Sequence, residues 1–161
     1  MDAKKSIDLL NKAVADELHA VHQYMYWHFH LDDQGFGPLA ALFRRVAIAE
    51  MVHVERLAER ILFLKGDVDM VPAGSVQRIT DVAEIVAKAA EMEQSTAAMY
   101  NKFSIECSQN ADSVSKQMFD ELVAEEEGHF DEFDKQKDNI ARFGTNYLAL
   151  QAFGSGAEGK E

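Results

Sequence analysis

The stretch RRVAIAEMVHVERLAERILFL, residues 44–64, contains a carboxylate and an imidazole on an otherwise apolar helical face. Glu50 and His53 are three residues apart, and an α-helix has about 3.6 residues per turn, so both side chains project from the same face. The apolar residues that share this face are Phe43, Val46, Ala47, Val54 and Leu57. Because an unpaired charge is costly to bury, this face must meet a compensating charge in the folded protein.

The same pattern occurs a second time in the later stretch FDELVAEEEGHFDEF. There Glu126 and His129 are again three residues apart among apolar side chains. Glu17 precedes Glu50 by thirty-three residues, and Glu93 precedes Glu126 by the same interval. The chain therefore carries an internal repeat, in which a glutamate is followed after thirty-three residues by Glu-x-x-His.

These six residues form the ligand set that a di-iron or di-manganese carboxylate centre takes from a four-helix bundle. The predicted metal ligands, which with Tyr24 are also the predicted catalytic residues, are Glu17, Glu50, His53, Glu93, Glu126 and His129. A single histidine would be explained better by a hydrogen bond to a backbone carbonyl, but six residues at matched spacing favour metal. Four carboxylates for two imidazoles suit iron or manganese better than structural zinc.

Two features beside these ligands have more than one interpretation. Tyr24 lies on the same face as Glu17, so its phenol can hydrogen-bond a ligand carboxylate, or it can be an ordinary core tyrosine. Glu125 and Glu127 flank Glu126 but point elsewhere on a helix. This position favours a solvated acidic face over a route for metal ions.

Composition limits the possible functions. The chain has 161 residues, a length suited to one domain with a sizeable core. Its net charge of −12 argues against nucleic acid or an anionic membrane as a partner and suits cations, although an acidic surface also serves solubility.

Cysteine usage and the N-terminal sequence indicate the compartment. Cys107 is the only cysteine, so neither an intramolecular disulfide nor a cysteine-rich metal site is expected. The N-terminal stretch MDAKKSIDLLNKAVADEL has charges at every turn, so we expect neither a signal peptide nor a membrane span. A cytoplasmic location is therefore predicted.

The pattern of helices predicts an all-α, ferritin-like four-helix bundle with a long crossover, formed by one domain over residues 1–161. Predicted helices span about 5–30, 38–65, 81–107 and 113–143, followed by a short helix at 146–153 and a mobile tail at 154–161. Gly66 and Gly144 are predicted to close the second and fourth helices, and Asp81 to cap the third.

Met51 is predicted to face away from the metal. It follows Glu50 by one residue, which turns its side chain about 100° toward the outside of the bundle. The matching outward stripe of the first helix includes Met25 and Phe29, and an exposed apolar patch on two helices predicts an interface. A twofold dimer would bring two copies of Met51 together, as axial ligands of haem iron or as packing alone.

The sequence resembles the bacterioferritin family over nearly its whole length. The matching stretches are ELHAVHQY at 17–24, EMVHVERLAERILFL at 50–64, EMEQ at 91–94, EEEGHFDEF at 125–133 and TNYLALQA at 145–152. This resemblance implies a ferroxidase centre with two iron ions per chain. Glu17 and His53 would hold one ion, Glu93 and His129 the other, and the remaining two ligands would bridge them.

The resemblance also implies an assembly and a reaction. Twofold dimers would build a hollow cage of two dozen identical chains around a ferric mineral, with a haem shared between two chains by Met51 and its symmetry mate. Fe(II) would be oxidised by O2 or H2O2, and a ferredoxin-type electron donor is a further candidate partner. The alternatives are a rubrerythrin-like peroxidase, a di-manganese catalase and a non-enzymatic structural bundle. A rubrerythrin usually has a Cys-x-x-Cys iron domain, which one cysteine excludes.

This sequence departs from some bacterioferritins at a few positions. Some relatives carry another iron site on the cavity side of the second helix, formed by a histidine and an aspartate, where this chain has Arg45 and Ala49. That inner site is therefore expected to be absent. His22 and Arg44 fall near the implied haem position and are expected to alter the porphyrin's environment.

Overall fold

Long helices make up most of the chain, as the four apolar stripes predict. The computed structural model describes residues 1–153, and the tail predicted at 154–161 lies outside them. The helices are α1 (Ala3–Asp33), α2 (Gly37–Phe63), α3 (Val82–Gln109), α4 (Ser113–Phe143) and α5 (Thr145–Phe153). Residues 1–153 contain no strand, so the prediction of an all-α fold with a short fifth helix is confirmed. None of the described helices is both long and apolar enough to cross a membrane.

Two predicted helix ends are found where the sequence indicates them. The side chain of Asp81 accepts a hydrogen bond from the backbone N–H of Glu84 at 3.0 Å and so caps the start of α3. Gly144 follows α4 with a positive φ of 54°, and its N–H donates to the carbonyl of Ile140 at 2.9 Å. A left-handed backbone is easiest for glycine, which explains why α4 ends there.

Gly66 takes part in capping α2, as predicted, because its N–H donates to the carbonyl of Ile61 at 3.0 Å. The helix ends at Phe63, and the left-handed residue after it is Lys65, with φ 64°. A Cβ at position 66 would lie 2.9 Å from side-chain atoms of Ile7. Glycine is therefore required here because α1 and the end of α2 approach closely, not because of its backbone angle.

The segment between α2 and α3 runs along the length of α1, as the predicted crossover requires. Near the start of α1, the side-chain amide of Asn11 donates to the carbonyl of Asp67 at 3.0 Å. Near the other end, the indole N–H of Trp27 donates to the carbonyl of Ile79 at 3.1 Å. Because the crossover returns the chain to the far end of α1, α1 and α4 run in one direction and α2 and α3 in the other.

Two apolar clusters fill the bundle on either side of a polar layer. The large buried rings of the first cluster are Tyr24, Trp27, Phe43 and Phe133. Those of the second are Tyr100, Phe103 and Phe119. The edge-to-face and tilted contacts within each cluster, such as 4.8 Å between the ring centroids of Phe43 and Phe133, add to the stabilisation from burial. The clusters fix the four helices around the polar layer between them.

Candidate metal centre

The polar layer consists of the acidic residues that the repeat singles out. Glu17, Glu50 and Glu126 are each 1% exposed, and Glu93 is 2% exposed. Each of the four lies on a different long helix. They meet in one layer because the crossover brings the two helix hairpins face to face. Four carboxylates in an apolar interior would repel one another strongly without positive charge between them.

The first half of the centre is built around His53. Its Nδ1 lies 2.8 Å from Oε2 of Glu50, 3.1 Å from Oε1 of Glu126 and 3.3 Å from Oε1 of Glu17. Only 1% of the imidazole side chain is exposed. The Glu-x-x-His spacing on α2 turns both side chains of the motif into this group, as the sequence predicts.

The second half is built around His129 in the same way. Its Nδ1 lies 2.9 Å from Oε1 of Glu50, 3.5 Å from Oε2 of Glu126 and 3.7 Å from Oε2 of Glu93. Glu50 and Glu126 therefore approach both imidazoles, each through a different oxygen. They are the two carboxylates that the halves share.

Several buried carboxylate oxygens of the centre have an imidazole nitrogen nearby but no hydrogen bond of acceptable geometry. Both carboxylate oxygens of Glu50, Oε2 of Glu93 and Oε1 of Glu126 accept no hydrogen bond, and Nδ1 of His129 makes none. Buried polar atoms are rarely left in this state, so a group of several calls for a ligand. The donor atoms form two overlapping groups, each within 4.8 Å, and the two groups share Glu50 and Glu126. Oxygen and imidazole donors in this arrangement fit two divalent cations.

The pKa shifts show how the centre is balanced without a metal. Burial and the charges of Glu50 and Glu126 raise the pKa of Glu17 well above its usual range. Burial also raises the pKa of Glu93, with further contributions from the neighbouring carboxylates. For Glu50 burial acts in the same direction, but contacts with His129 and His53 outweigh it and lower the pKa. The shared carboxylates are thus the most strongly ionised of the four.

The two imidazoles carry the compensating positive charge. Burial alone would lower the pKa of His129, but contacts with Glu126, Glu50 and Glu93 raise it to about 12. The pKa of His53 is also raised, because Glu126, Glu17 and Glu50 outweigh the effect of burial. Nδ1 of each imidazole lies between the carboxylates where a cation would sit, and a ligand nitrogen must be deprotonated, so we expect metal binding to release protons.

Two tyrosines connect the halves crosswise. The phenol of Tyr24 on α1 donates to Oε1 of Glu93 on α3, so the hydrogen bond anticipated for it is present. The phenol of Tyr100 on α3 donates to Oε1 of Glu17 on α1 at 2.6 Å. The sequence interpretation did not assign Tyr100 to the centre. The repeat contains the signal, because Tyr100 follows Glu93 by the same seven residues that separate Tyr24 from Glu17.

Glu125 is exposed, as its interpretation as part of a solvated acidic face predicts, but it also contacts the centre. Nε2 of His53 donates to Oε2 of Glu125 at 2.7 Å, and Nη1 of Arg56 donates to its other oxygen at 2.7 Å. Burial would raise the pKa of Glu125, but Arg56 and His53 lower it. Glu125 is one residue before Glu126, so its side chain points away from the ligand cluster. It reaches Nε2 of His53, on the outer side of that ring, and spacing along one helix does not reveal this contact. Glu127 is exposed, as predicted.

The outward face of α2 carries the predicted apolar residues. Met51 is 48% exposed, and Ile48 and Val52 beside it are also exposed. On α1, Phe29 is exposed as well. Arg45 is exposed and pairs with Glu132. Within residues 1–153, clusters with metal-ligand geometry occur only at the centre described above.

Comparison with known proteins extends these observations. Residues 7–143 match the family model of the ferritin-like domain. The bacterioferritin of Desulfovibrio desulfuricans is 39% identical over 145 residues, which cover 90% of this chain and 81% of that protein. The bacterioferritin of Brucella melitensis is 36% identical, with 87% of each chain covered.

Solved structures agree with the sequence comparison. An X-ray structure of the D. desulfuricans bacterioferritin, which shows its diiron site in different catalytic states, superposes with a TM-score of 0.92 at 36% identity. The superposition covers 99% of this chain and 95% of that one. The Rhodobacter capsulatus bacterioferritin, described with a metal-free dinuclear site and haem iron in a crystallographic special position, gives a TM-score of 0.91 at 30% identity. This superposition covers 98% of this chain and 99% of the R. capsulatus chain.

Proposed function

Because the chain belongs to the bacterioferritin family, we propose that it is an iron-storage protein with ferroxidase activity. Its substrate is Fe(II), its oxidant is O2 or H2O2, and its product is ferric mineral inside a protein cage. The observation that carries this proposal is the pair of overlapping ligand groups that share Glu50 and Glu126. Two shared carboxylates and one imidazole for each half suit a pair of ions held side by side.

The proposed ligand assignment follows the contacts. Glu17 and His53 hold one Fe(II), and Glu93 and His129 hold the other. Glu50 and Glu126 bridge the two, because each presents a different oxygen to each imidazole. Each Fe(II) gives up one electron, so a bound pair can reduce O2 to H2O2 or H2O2 to water.

The surrounding residues prepare the centre for this chemistry. The two aromatic clusters exclude water from both ends of the ligand layer, which strengthens electrostatic interactions inside it. Tyr24 orients Glu93 through its hydrogen bond, and Tyr100 orients Glu17. The imidazolium protons leave as Fe(II) binds, so uptake is coupled to proton release. The net charge of −12 favours approach of cations to the cage.

We propose further that twofold dimers form through the outward face of α1 and α2 and assemble into a hollow cage of two dozen chains. The exposed apolar side chains of that face, Phe29, Ile48, Met51 and Val52, support an interface. Met51 fits a haem shared across the twofold axis, because its exposed thioether is a suitable axial ligand. When bound, the haem would supply a one-electron relay between a donor and the mineral. We also predict that a ferredoxin-type protein donates the electrons and that the protein is located in the cytoplasm.

The proposal is tested by anaerobic titration of the apoprotein with Fe(II), followed by O2 or H2O2. We expect two Fe(II) per chain to bind, and ferric absorbance to rise with a fixed ratio of oxidant to iron. Continued additions should then form mineral inside the cage. A protein that binds no Fe(II) would be a structural bundle, and one that disproportionates H2O2 with manganese but does not oxidise Fe(II) would be a catalase.

A further inference from the structure

The imidazole of His53 is held at both of its nitrogens. Nδ1 faces the carboxylates of the centre, with Oε2 of Glu50 at 2.8 Å. Nε2 donates to Oε2 of Glu125 at 2.7 Å on the other side of the ring. A metal-binding histidine is generally oriented in this way, because a hydrogen bond at one nitrogen fixes the tautomer and directs the lone pair of the other.

Glu125 is itself fixed by a second contact. Its side chain is 44% exposed, so a single hydrogen bond would not restrain it strongly. Arg56 on α2 donates to its second oxygen at 2.7 Å and to Oε2 of Glu121 at 2.9 Å. The charge-assisted hydrogen bond from Arg56 to the second oxygen of Glu125 holds that carboxylate in one orientation. The ring of His53 is thus clamped from outside the ligand layer.

The second half of the repeat lacks this clamp. Under the repeat, His53 corresponds to His129, and Glu125 corresponds to Ala49, which has no acceptor in its side chain. Throughout residues 1–153, no hydrogen bond to Nε2 of His129 is present. The side chain of His129 is 12% exposed, against 1% for His53. Glu132, which corresponds to Arg56, is paired with Arg45.

From this difference we propose, on the basis of the proposed function, that Glu125 is a positioning residue that holds His53 for its metal ion. The centre consequently binds its two ions unequally. The ion held by Glu17 and His53 is the tighter, because the ring is already oriented when the ion arrives. The ion held by Glu93 and His129 is the weaker and the more readily exchanged, because the ring of His129 has no outer hydrogen bond and loses more conformational freedom when the ion binds.

The test is a titration of the assembled apoprotein with Co(II), whose visible absorption reports its ligand environment and which needs no oxidation step. The wild type is expected to bind two Co(II) per chain in two phases, with affinities at least about tenfold apart. In Glu125→Ala the tight phase weakens by about 10- to 100-fold and approaches the second phase. Glu125→Gln keeps an acceptor for Nε2 but loses the charge that pairs with Arg56. The affinity of its tight phase should lie between those of the wild type and Glu125→Ala.

Two further variants make the test specific. Glu121→Ala removes the other carboxylate from Arg56 without touching His53, and should leave both phases within about twofold of the wild type. Ala49→Glu places an acceptor at the position that corresponds to Glu125, and should strengthen the weak phase. Gel filtration and circular dichroism of each variant establish that the cage and its helices are intact.

The outcomes separate this inference from the proposed function. Two Co(II) ions bound with equal affinity by the wild type, or a tight phase unchanged in Glu125→Ala, would overturn the positioning role and leave the ferroxidase proposal standing. A wild type that binds neither Co(II) nor Fe(II) would overturn both. A selective loss of the tight phase in Glu125→Ala, with Glu121→Ala unchanged, supports the inference.

Discussion

The half of the molecule formed by α1 and α2 and the half formed by α3 and α4 are alike on their inner faces and different on their outer ones. The inner faces carry matching ligands, matching tyrosines and matching phenylalanines at positions 43 and 119. On the outer faces, Met51 corresponds to Glu127 and Met25 corresponds to Asn101. The repeat is thus strict where the two halves share a centre and loose elsewhere.

This difference has a physical explanation. A buried carboxylate in one half is compensated by groups from the other, so a change to either inner face leaves charge unpaired in the core. Ion pairs also join the outer surfaces of the two halves, such as that of Arg45 with Glu132, but they are exposed to water, so a change there costs little. The face of α1 and α2 exposes apolar side chains suited to an interface, whereas α4 presents Glu127 to solvent.

The largest expected effect is symmetric between the halves. Glu50→Ala or Glu126→Ala should abolish fast Fe(II) oxidation, because each carboxylate contacts both parts of the centre. Stopped-flow absorbance after mixing Fe(II)-loaded protein with oxidant measures this loss. Glu55→Ala and Glu127→Ala change exposed glutamates on the same two helices and should oxidise Fe(II) at the wild-type rate. Fast oxidation that persists in either core variant would remove the ferroxidase assignment.

The second expected effect is confined to one half. Protein produced with ample haem should show a porphyrin absorption band that Met51→Leu loses while the cage remains assembled, because leucine packs like methionine but offers no sulfur ligand. Glu127→Leu, the corresponding change on α4, should keep the band. A colourless wild type, or a band indifferent to Met51→Leu, would leave Met51 as an apolar contact alone.

A third prediction concerns the stability of the metal-free protein. A histidine whose folded pKa is raised contributes stability that is complete below its ordinary value of 6.5 and is lost as pH rises through the folded value, about 12 for His129. The raised pKa values of Glu17 and Glu93 also lower the stability of the apoprotein as pH rises above the usual glutamate range. The Tm of the apoprotein should therefore fall as pH rises from about 7 to about 9.

Metal should remove most of this dependence. Bound cations replace the protons of the centre, and their affinity increases with pH, so the gap between the Tm of loaded and apo protein should widen toward high pH. Scanning calorimetry at matched ionic strength measures both values. His129→Gln should flatten the pH dependence of the apoprotein. Coincident unfolding of loaded and apo protein at every pH would mean that the ligands do not converge on an ion.

The parts of the molecule that sequence predicts well are those repeated at helical spacing. The all-α fold and the crossover follow from four apolar stripes and the break at Pro72 and Gly74, and the structure confirms them. The six proposed ligands converge because Glu-x-x-His fixes one face of a helix. Their role as ligands stays a proposal, as does the single domain over 1–161.

The parts that sequence does not predict depend on which neighbour is reached across the bundle. Glu125 was assigned to solvent because its position on its own helix points away from Glu126, but its acceptor meets a ring that comes from α2. Gly66 was predicted only as a helix cap, yet the side chain that favours glycine there is Ile7, far away in the chain. Periodicity describes one helix at a time, so contacts between helices have to come from the packed structure.

The smallest expected effect tests the symmetry of the inner faces directly. Tyr24→Phe and Tyr100→Phe each remove one buried phenol that donates to a carboxylate of the opposite half. Removing the donor leaves a buried acceptor unsatisfied, which costs about 1–3 kcal/mol, so each variant should lower the free energy of unfolding of the apoprotein by roughly that amount.

The two phenols occupy equivalent positions and are equally buried, so the two losses should agree to within about 0.5 kcal/mol. Denaturant unfolding of the two variants measures them. Phe103→Leu, which perturbs a ring of the same core without touching the ligands, is the control, and its cost should not change when metal is added. The cost of each tyrosine change should shrink in the loaded protein, because a bound cation then satisfies the carboxylate oxygen that lost its donor. A large loss in one tyrosine variant and none in the other would show that the inner faces have diverged as the outer ones have, and that only one half depends on the crosswise hydrogen bond.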